Sequence, residues 1–259
     1  DSSNLGNDAS GKNNDFTVTN LTSIDQSTDT CVENFATLNS LNVPASNQPT
    51  FSEGNLKVNP NASTGAYRFG GTSTIGVSSG KWYIEAKATI DSSYSRNEIG
   101  VTGEPSNLAR QNYGLSQGTN SSVYYKSENG TVGINTSDSY TGSTYTTGDI
   151  IGIALDMDNL KVYFSKNGTF QNSGDPTSGS TGTGAISLTA LSSTSEGSYF
   201  FMSSDNTGTS ADAIFEFNFG SPPYSISSGN SDANGHGNFE YSVPSGYYAL
   251  NTSNLNTYG

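Results

Sequence analysis

Two predicted strands each carry a glutamate at mid-strand. Glutamates are candidates for catalysis because glycosidases use a pair of carboxyl groups as their catalytic acid and base. Such enzymes hold two carboxyl groups about 5 to 9 Å apart across the scissile bond. Glu85 is followed on its own strand face by Lys87, and Glu216 is followed by Asn218, so neither strand supplies a pair. Charged side chains on sheets mostly face water. We therefore predict that both glutamates are solvated strand residues.

His236 and two acidic turns are the other places where hydrolysis or metal binding could occur. His236 is the only histidine, in the turn-like stretch NGHGN with no cysteine nearby, which argues against a hydrolytic triad or a zinc site. Residues 156–159 (DMDN) and 232–235 (DANG) offer oxygen ligands, but neither has the full ligand series or the terminal glutamate of a calcium loop. Aspartate and asparagine are also ordinary turn formers. We predict no catalytic residues, no metal and no cofactor, with calcium at these turns as the alternative.

Tyrosines in polar connections give a different signal. A tyrosine ring in such a loop is rigid and amphipathic, which suits contact with a glycan or a protein. Loop tyrosines also pack over sheet edges, which is the alternative for each of them. The predicted ligand-binding residues are Tyr94 and Arg96 (DSSYSRNE), Tyr113 (ARQNYGLS), and Tyr140 and Tyr145 (SDSYTGSTY).

Short strands must position these loops. In residues 81–90 (KWYIEAKATI) apolar and polar side chains alternate, which predicts one buried and one wet face. Residues 147–168 (TGDIIGIALDMDNLKVYFSKNG) contain two apolar runs around a turn at Asp158 and Asn159, as in a core hairpin. Trp82 and the alternating Phe215, Phe217 and Phe219 are predicted to lie in the core. Further strands are predicted at 98–103 (EIGVTG), 122–127 (SVYYKS), 185–191 (AISLTAL), 198–204 (SYFFMSS) and 213–220 (AIFEFNFG).

The composition agrees with an all-β domain and excludes two classes of partner. Only 31% of the residues are hydrophobic, but 15 Tyr and 12 Phe supply large buried surfaces. The net charge of −13 comes from 23 acidic and 10 scattered basic residues, so we expect no binding to nucleic acid. No run of about 18 apolar residues is present, so we expect no membrane insertion.

Four ordered motifs resemble a SPRY domain. They are SGKWYIEAKA for a Gly-x-x-Tyr/Trp-x-Glu strand, EIGVTGE for a Gly-Val strand, GDIIGIALDMDNLKVYFSKNG for the hairpin, and FEFNFGSPPYS for the closing strand. The resemblance covers roughly residues 55 to 224. It implies a concanavalin-like sandwich of two antiparallel sheets that binds partners through loops at one end.

Both flanks resemble segments that border SPRY-like modules in structural proteins of marine bacteriophages. The segments are DASGKNNDFTVTNL, DTCVENFATLNSL and SSGNSDANGHGNFEYSVPSGYYALNTSNL. We therefore predict an extended polar arm at residues 1–50, a sandwich at 51–224, and a C-terminal arm at 225–259 that packs on the sandwich or on a neighbour.

This organisation predicts a non-enzymatic virion module, located at the particle surface or on an appendage. Its expected partners are other virion subunits and a host-surface glycan or protein, and it could form a homo-oligomer. The alternative is a purely architectural virion subunit whose arms mediate assembly. A carbohydrate-active enzyme is a third hypothesis, for which no residue pair provides the chemistry.

Overall fold

The computed structural model describes residues 5–8, 10–20, 29–30, 32–61, 66–90, 97–207 and 213–259. Within these ranges the chain forms two sheets, several 3₁₀ turns and the short helices Pro105–Gln111 (α1) and Thr252–Tyr258 (α2). Over the same ranges, neither helix has the length and apolar character that crossing a bilayer would need.

The strands follow one another closely along the chain. In order they are Thr50–Ser52 (β1), Lys57–Asn59 (β2), Ala66–Thr72 (β3), Lys81–Ile90 (β4), Asn97–Thr102 (β5), Ser122–Lys126 (β6), Thr131–Ile134 (β7), Ser137–Thr141 (β8), Ile150–Asp156 (β9), Lys161–Lys166 (β10), Thr169–Phe170 (β11), Ile186–Ser187 (β12), Phe200–Thr207 (β13), Ala213–Asn218 (β14) and Tyr248–Ala249 (β15).

These strands form a two-sheet sandwich. The first sheet has the order β1-β2-β14-β4-β9-β10-β11, with β12 beside β10 and β15 beside β4. The second sheet has the order β3-β13-β5-β6-β7-β8. The pairings are antiparallel apart from that of β15 with β4. The predicted all-β antiparallel fold class is confirmed.

Aromatic and aliphatic side chains fill the space between the sheets. Trp82, Ile84 and Ala86 on β4 are fully buried, and so are Phe215 and Phe217 on β14. The alternation that marked these residues as core is therefore confirmed. Burial of each large side chain contributes about 1.5 to 3 kcal/mol.

The acidic turn between β9 and β10 closes the predicted hairpin, in which Leu155 lies opposite Val162. Asp156 Oδ1 accepts a hydrogen bond from the backbone N–H of Asn159 at 3.0 Å, and its Oδ2 pairs with Lys81 Nζ at 2.9 Å. The side chain of Asp156 is buried. Its oxygens thus stabilise the turn instead of offering a calcium site.

The second face of β4 is not wet, contrary to the prediction. Tyr83 and Glu85 on this face are only 1% and 0% exposed. The C-terminal segment crosses the face, since the Phe239 ring packs edge-on against Tyr83 with centroids 5.3 Å apart and the backbone N–H groups of Glu240 and Tyr241 donate to Glu85. Alternation along one strand distinguishes its two faces, but it does not show whether a distant segment covers the second face.

The outer face of the second sheet is covered by α1 and the 3₁₀ turn Leu115–Gln117, which follow β5. Residues from the sheet and from this cover form a separate apolar cluster. Its members are Phe69, Leu108, Ala109, Leu115, Tyr124 and Met202.

The N-terminal segment has both docked and exposed apolar residues. Phe35 and Leu38 are buried against the sandwich, at 7% and 0% exposure. Phe16, Val32 and Leu41 are exposed at 81%, 72% and 91%. This segment therefore fastens to the sandwich near residue 35 and presents apolar side chains on either side of that point.

The strand predicted at residues 185–191 is mostly wrong. Only β12 within it is a strand, and the 3₁₀ turn Leu191–Ser193 begins at its end. The hairpin of β7 and β8 was not predicted, because Gly, Ser and Asp interrupt its apolar pattern.

Candidate functional site

A surface cleft lies between the start of β3 and the C-terminal end of α1, and we call it the tyrosine cleft. Its volume is about 320 Å³, at the lower end of the range for small-ligand sites. It is lined by Tyr67, Arg68, Gln111, Asn112, Tyr113 and Gln117.

Asn112 sets the geometry of one wall. It ends α1 in the left-handed conformation (φ 54°, ψ 47°), which asparagine adopts more readily than most residues. Its side-chain Oδ1 accepts the backbone N–H of Phe69 at 3.0 Å, which joins the helix end to β3. The backbone N–H of Tyr113 returns to the carbonyl of Leu108 at 2.9 Å. Tyr113 is thereby held at the rim of the cleft.

A buried carboxylate anchors the segment that follows Tyr113. Glu98 on β5 is fully buried, and its Oε2 accepts the backbone N–H of Ser116 and the hydroxyl of Ser204, each at 3.0 Å. The Ser116 hydroxyl donates to Glu98 Oε1. The Ser204 hydroxyl oxygen in turn accepts the backbone N–H of Leu115 at 2.9 Å. Because this wall is fixed by hydrogen bonds, binding at the cleft would require little ordering of the protein.

Two tyrosines give the cleft its exposed aromatic surface. Tyr67 and Tyr113 are each 37% exposed, and they are the exposed tyrosines of the described part of the chain. A Cβ atom on Gly114 would lie 3.5 Å from Tyr67 Cδ1, so the Tyr67 ring lies beside the backbone that follows Tyr113. Gln117 Oε1 accepts the backbone N–H of Gly114 at 3.2 Å. Flat rings beside amide groups suit stacking and hydrogen bonding with a peptide or a sugar.

Tyr113 is the predicted residue that the structure places in this cleft. Tyr67 was missed, because a tyrosine on a strand two residues before Phe69 is expected to be buried with it. The helix that covers Phe69 ends at Gln111. Tyr67 therefore lies beyond the edge of the cover, and no local sequence signal marks where that edge falls.

Tyr145 does not belong to a binding surface, contrary to the prediction. It is 4% exposed, and its hydroxyl donates to the backbone carbonyls of Asn97 at 2.9 Å and Tyr125 at 3.0 Å. Its ring packs edge-on against Tyr125 with centroids 5.0 Å apart. The polar neighbours in the sequence concealed a core residue whose hydroxyl satisfies backbone groups at the end of the sandwich.

Tyr140 has an intermediate position. It lies on β8 and packs against the main core, and burial raises the pKa of its hydroxyl. It is therefore a packing residue at the sheet edge, which was the alternative for each loop tyrosine.

Tyr94 and Arg96 lie outside the described residues. The strand that follows them begins at Asn97, which is paired with Asp205, and Asp205 is paired with Arg68 of the cleft. Asn97 is thus two strand spacings, about 10 Å, from Arg68. Asn97 and Arg68 therefore lie at the same end of the second sheet.

Glu85 is buried, and the prediction that it is solvated is wrong. Its carboxylate accepts the backbone N–H groups of Glu240 and Tyr241, each at 2.8 Å, and the Tyr83 hydroxyl at 3.1 Å. Burial raises the pKa of the Glu85 carboxyl from its ordinary 4.5 to about 7, although these three donors act to lower it. Glu85 fastens the C-terminal segment to the first sheet and is covered by it.

Asp232, in the second acidic turn, has a similar structural role. Its Oδ1 accepts the backbone N–H groups of Asn234 at 2.9 Å and His236 at 3.0 Å. Its Oδ2 accepts the Ala249 N–H at 3.0 Å and the Asn254 side-chain amide at 2.8 Å. All its acceptor positions are thus used within the fold. In the described ranges, no three His, Cys, Asp or Glu side chains are arranged to hold a metal ion.

Comparison with known proteins gives one family. Residues 81–202 match the family model of the SPRY domain. Among solved structures, the SPRY domain of human HERC1 is similar, with 17% sequence identity and a TM-score of 0.45 over 65% of this chain and 91% of that one. No curated protein shows significant similarity to the chain.

Proposed function

We propose that the SPRY domain of residues 81–202, together with β3, is a non-enzymatic binding module that holds a protein segment or a glycan in the tyrosine cleft. One observation carries this proposal. The exposed tyrosines of the described chain, Tyr67 and Tyr113, line the same cleft. Exposed aromatic rings in a cleft with fixed walls are typical of residues that dominate binding energy.

The electrostatics of the cleft favour binding over catalysis. Glu98, which anchors one wall of the cleft, has a buried carboxylate that accepts two serine hydroxyls and a backbone N–H. A buried carboxylate with these partners is poorly placed to exchange protons with a ligand. The cleft offers side-chain amides and ring faces, which are recognition groups.

We further propose that the module is part of a bacteriophage virion and that its ligand lies on the surface of the host. The support is the resemblance of both flanks to segments of phage structural proteins. The net charge of −13 also favours an uncharged or basic partner over an anionic polymer.

The test compares a double variant, Tyr67→Ala with Tyr113→Ala, with the unmodified protein and a control. Tyr258→Ala is the matched control, because Tyr258 is a half-buried tyrosine stacked on Tyr248 of the first sheet. Fluorescently labelled proteins would be applied to a panel of marine bacterial strains and to a printed glycan array. We expect the double variant to bind at least about thirtyfold more weakly, as for the loss of a 2 kcal/mol hot spot, and the control to bind normally.

Two results would refute the proposal. One is that the unmodified protein labels neither cells nor glycans, and the other is that the double variant labels them as strongly. Circular dichroism of both variants would show whether a loss of binding reflects a loss of fold. Binding to the glycan array would identify the ligand as a glycan. Binding to bacterial cells without binding to the array would indicate a protein ligand.

A purely architectural role is the second candidate, and a different observation favours it. Phe16, Val32 and Leu41 in the N-terminal segment are more than 70% exposed, although burial against a partner would stabilise them. Light scattering on the same samples distinguishes the candidates, because an architectural subunit would self-associate and would lose association with Phe16→Ser and Leu41→Ser.

A further inference from the structure

A second cleft, which we call the Glu104 cleft, lies at the opposite end of α1. Its volume is about 430 Å³, within the range of small-ligand sites. Its wall is the helix on one side and the loop before β13 on the other. It is lined by Glu104, Asn107, Arg110, Asn120, Ser193, Thr194 and Ser195.

Glu104 is buried, at 3% exposure, in the wall of this cleft. Its Oε1 accepts the Ser122 hydroxyl at 3.2 Å and the Asn120 backbone N–H at 3.3 Å. Its Oε2 accepts the Asn107 side-chain amide at 3.1 Å. All three donors are neutral, and a carboxylate accepts about four hydrogen bonds. One acceptor position on Oε2 therefore remains for a donor from a ligand.

Arg110 supplies the complementary donors. It is exposed, and its Nη2 donates to Asn107 Oδ1 at 3.0 Å. Asn107 thus lies between the guanidinium and the Glu104 carboxylate, and no Lys or Arg of the described ranges lies within 4.0 Å of that carboxylate. A guanidinium has five N–H donors, so most of those of Arg110 can face a ligand.

The arrangement selects for groups that both donate and accept. A ligand must donate to Glu104 and accept from Arg110, and hydroxyl groups do both. An anionic ligand would meet the buried charge of Glu104, and a cationic one would meet Arg110. Thr194 and Ser195 donate their hydroxyl protons to the backbone carbonyls of Leu191 and Gly103, so these hydroxyls add acceptors to the wall.

We propose that the Glu104 cleft binds a neutral saccharide through adjacent hydroxyl groups, one donating to Glu104 Oε2 and the next accepting from Arg110. This site is independent of the proposed function, since it shares no lining residue with the tyrosine cleft. The two sites lie toward opposite ends of β5, where Thr102 and Glu98 are separated by about 13 Å.

The test is a titration followed by NMR. Isotopically labelled protein would be titrated with glucose, galactose, mannose and N-acetylglucosamine, each to about 50 mM, because single-sugar sites bind in the millimolar range. Ethanol, which has a single hydroxyl group, would serve as the control because it lacks the adjacent pair. We expect at least one sugar to shift the backbone amides of Glu104, Asn120 and Ser195 saturably, with ethanol giving no saturable shift.

Variants then test the roles of the two charged groups. Arg110→Ala removes an exposed side chain, so the fold should persist, and we expect the affinity for that sugar to fall about tenfold or more. Glu104→Gln should have a similar effect, and Asn120→Ala provides a surface variant if that protein does not fold. Tyr258→Ala, which lies outside both clefts, should leave sugar binding unchanged. Absence of saturable shifts with all four sugars, shifts centred on the tyrosine cleft, or unchanged affinity in Arg110→Ala would each overturn the proposal.

Discussion

The buried carboxyl of Glu85 makes the stability of the fold depend on pH. Burial raises its pKa to about 7 in the folded protein, whereas the ordinary value is 4.5. The folded state therefore holds an additional proton between these values, and the contribution of Glu85 to stability is full below pH 4.5 and is lost as the pH rises through 7. The gap between the two pKa values, at about 1.4 kcal/mol for each pH unit, amounts to about 3 kcal/mol.

The perturbation is Glu85→Gln, which keeps the shape of the side chain and removes its titration. The assay is urea denaturation at several pH values from 4.5 to 8.5, with the free energy of unfolding of the variant subtracted from that of the unmodified protein. We expect the free energy of unfolding of the unmodified protein, relative to that of the variant, to fall by about 3 kcal/mol as the pH rises from 4.5 to 8.5. The subtraction removes the contribution of carboxyl groups distant from Glu85, such as that of Asp149, whose pKa is lowered by hydrogen bonds and by Lys166.

A matched control is available on a neighbouring strand. Glu216 on β14 pairs with Lys57 at 3.6 Å and is more exposed than Glu85, so Glu216→Gln should change the free energy of unfolding by less than about 1 kcal/mol. Parallel profiles for Glu85→Gln and the unmodified protein would refute the reasoning. So would a difference that changes in the opposite direction, because the donors from Glu240 and Tyr241 would then outweigh burial.

Two further predictions concern packing. Phe217→Ala should lower the free energy of unfolding by about 3 to 5 kcal/mol in chemical denaturation. Phe16→Ala, at an exposed position, should change it by less than about 0.5 kcal/mol. Similar effects for both variants would contradict the described core. Asp232→Ala leaves the Ala249 N–H and the Asn254 amide without their acceptor. The free energy of unfolding should fall by about 3 kcal/mol, and the Ala249 amide should exchange its hydrogen faster. An unchanged exchange rate at Ala249 would show that the carboxylate does not hold the C-terminal segment.

The core of the sandwich could be predicted from the sequence because its signal is local. Trp82 and Ile84 repeat every second residue, and so do Phe215 and Phe217, which is the period of a strand with one buried face. The β9–β10 hairpin was predictable for the same reason, since its turn and both apolar runs lie within 22 contiguous residues.

The coverings of the sheets could not be predicted, because they depend on segments distant in the chain. Glu85 is buried by backbone 155 residues later, and no property of the KWYIEAKATI stretch specifies that contact. Tyr145 lies in a polar stretch, and its burial depends on backbone carbonyls of β5 and β6. In the candidate site, Tyr113 was found from its polar loop, but Tyr67 becomes its neighbour only after β3 and α1 pack together.

The same coverings determine which parts of the two sheets stay accessible. The C-terminal segment closes the outer face of the first sheet, and α1 with its 3₁₀ turn closes that of the second. The sheets are accessible at the edges of these covers. The edges of the second cover lie close together, because α1 is only seven residues long, about 10 Å. The tyrosine cleft lies where this helix ends at Gln111, and the Glu104 cleft lies where it begins. One short helix thus forms a wall of both clefts, and Asn112 and Glu98 fix its C-terminal end and the turn after it to the second sheet.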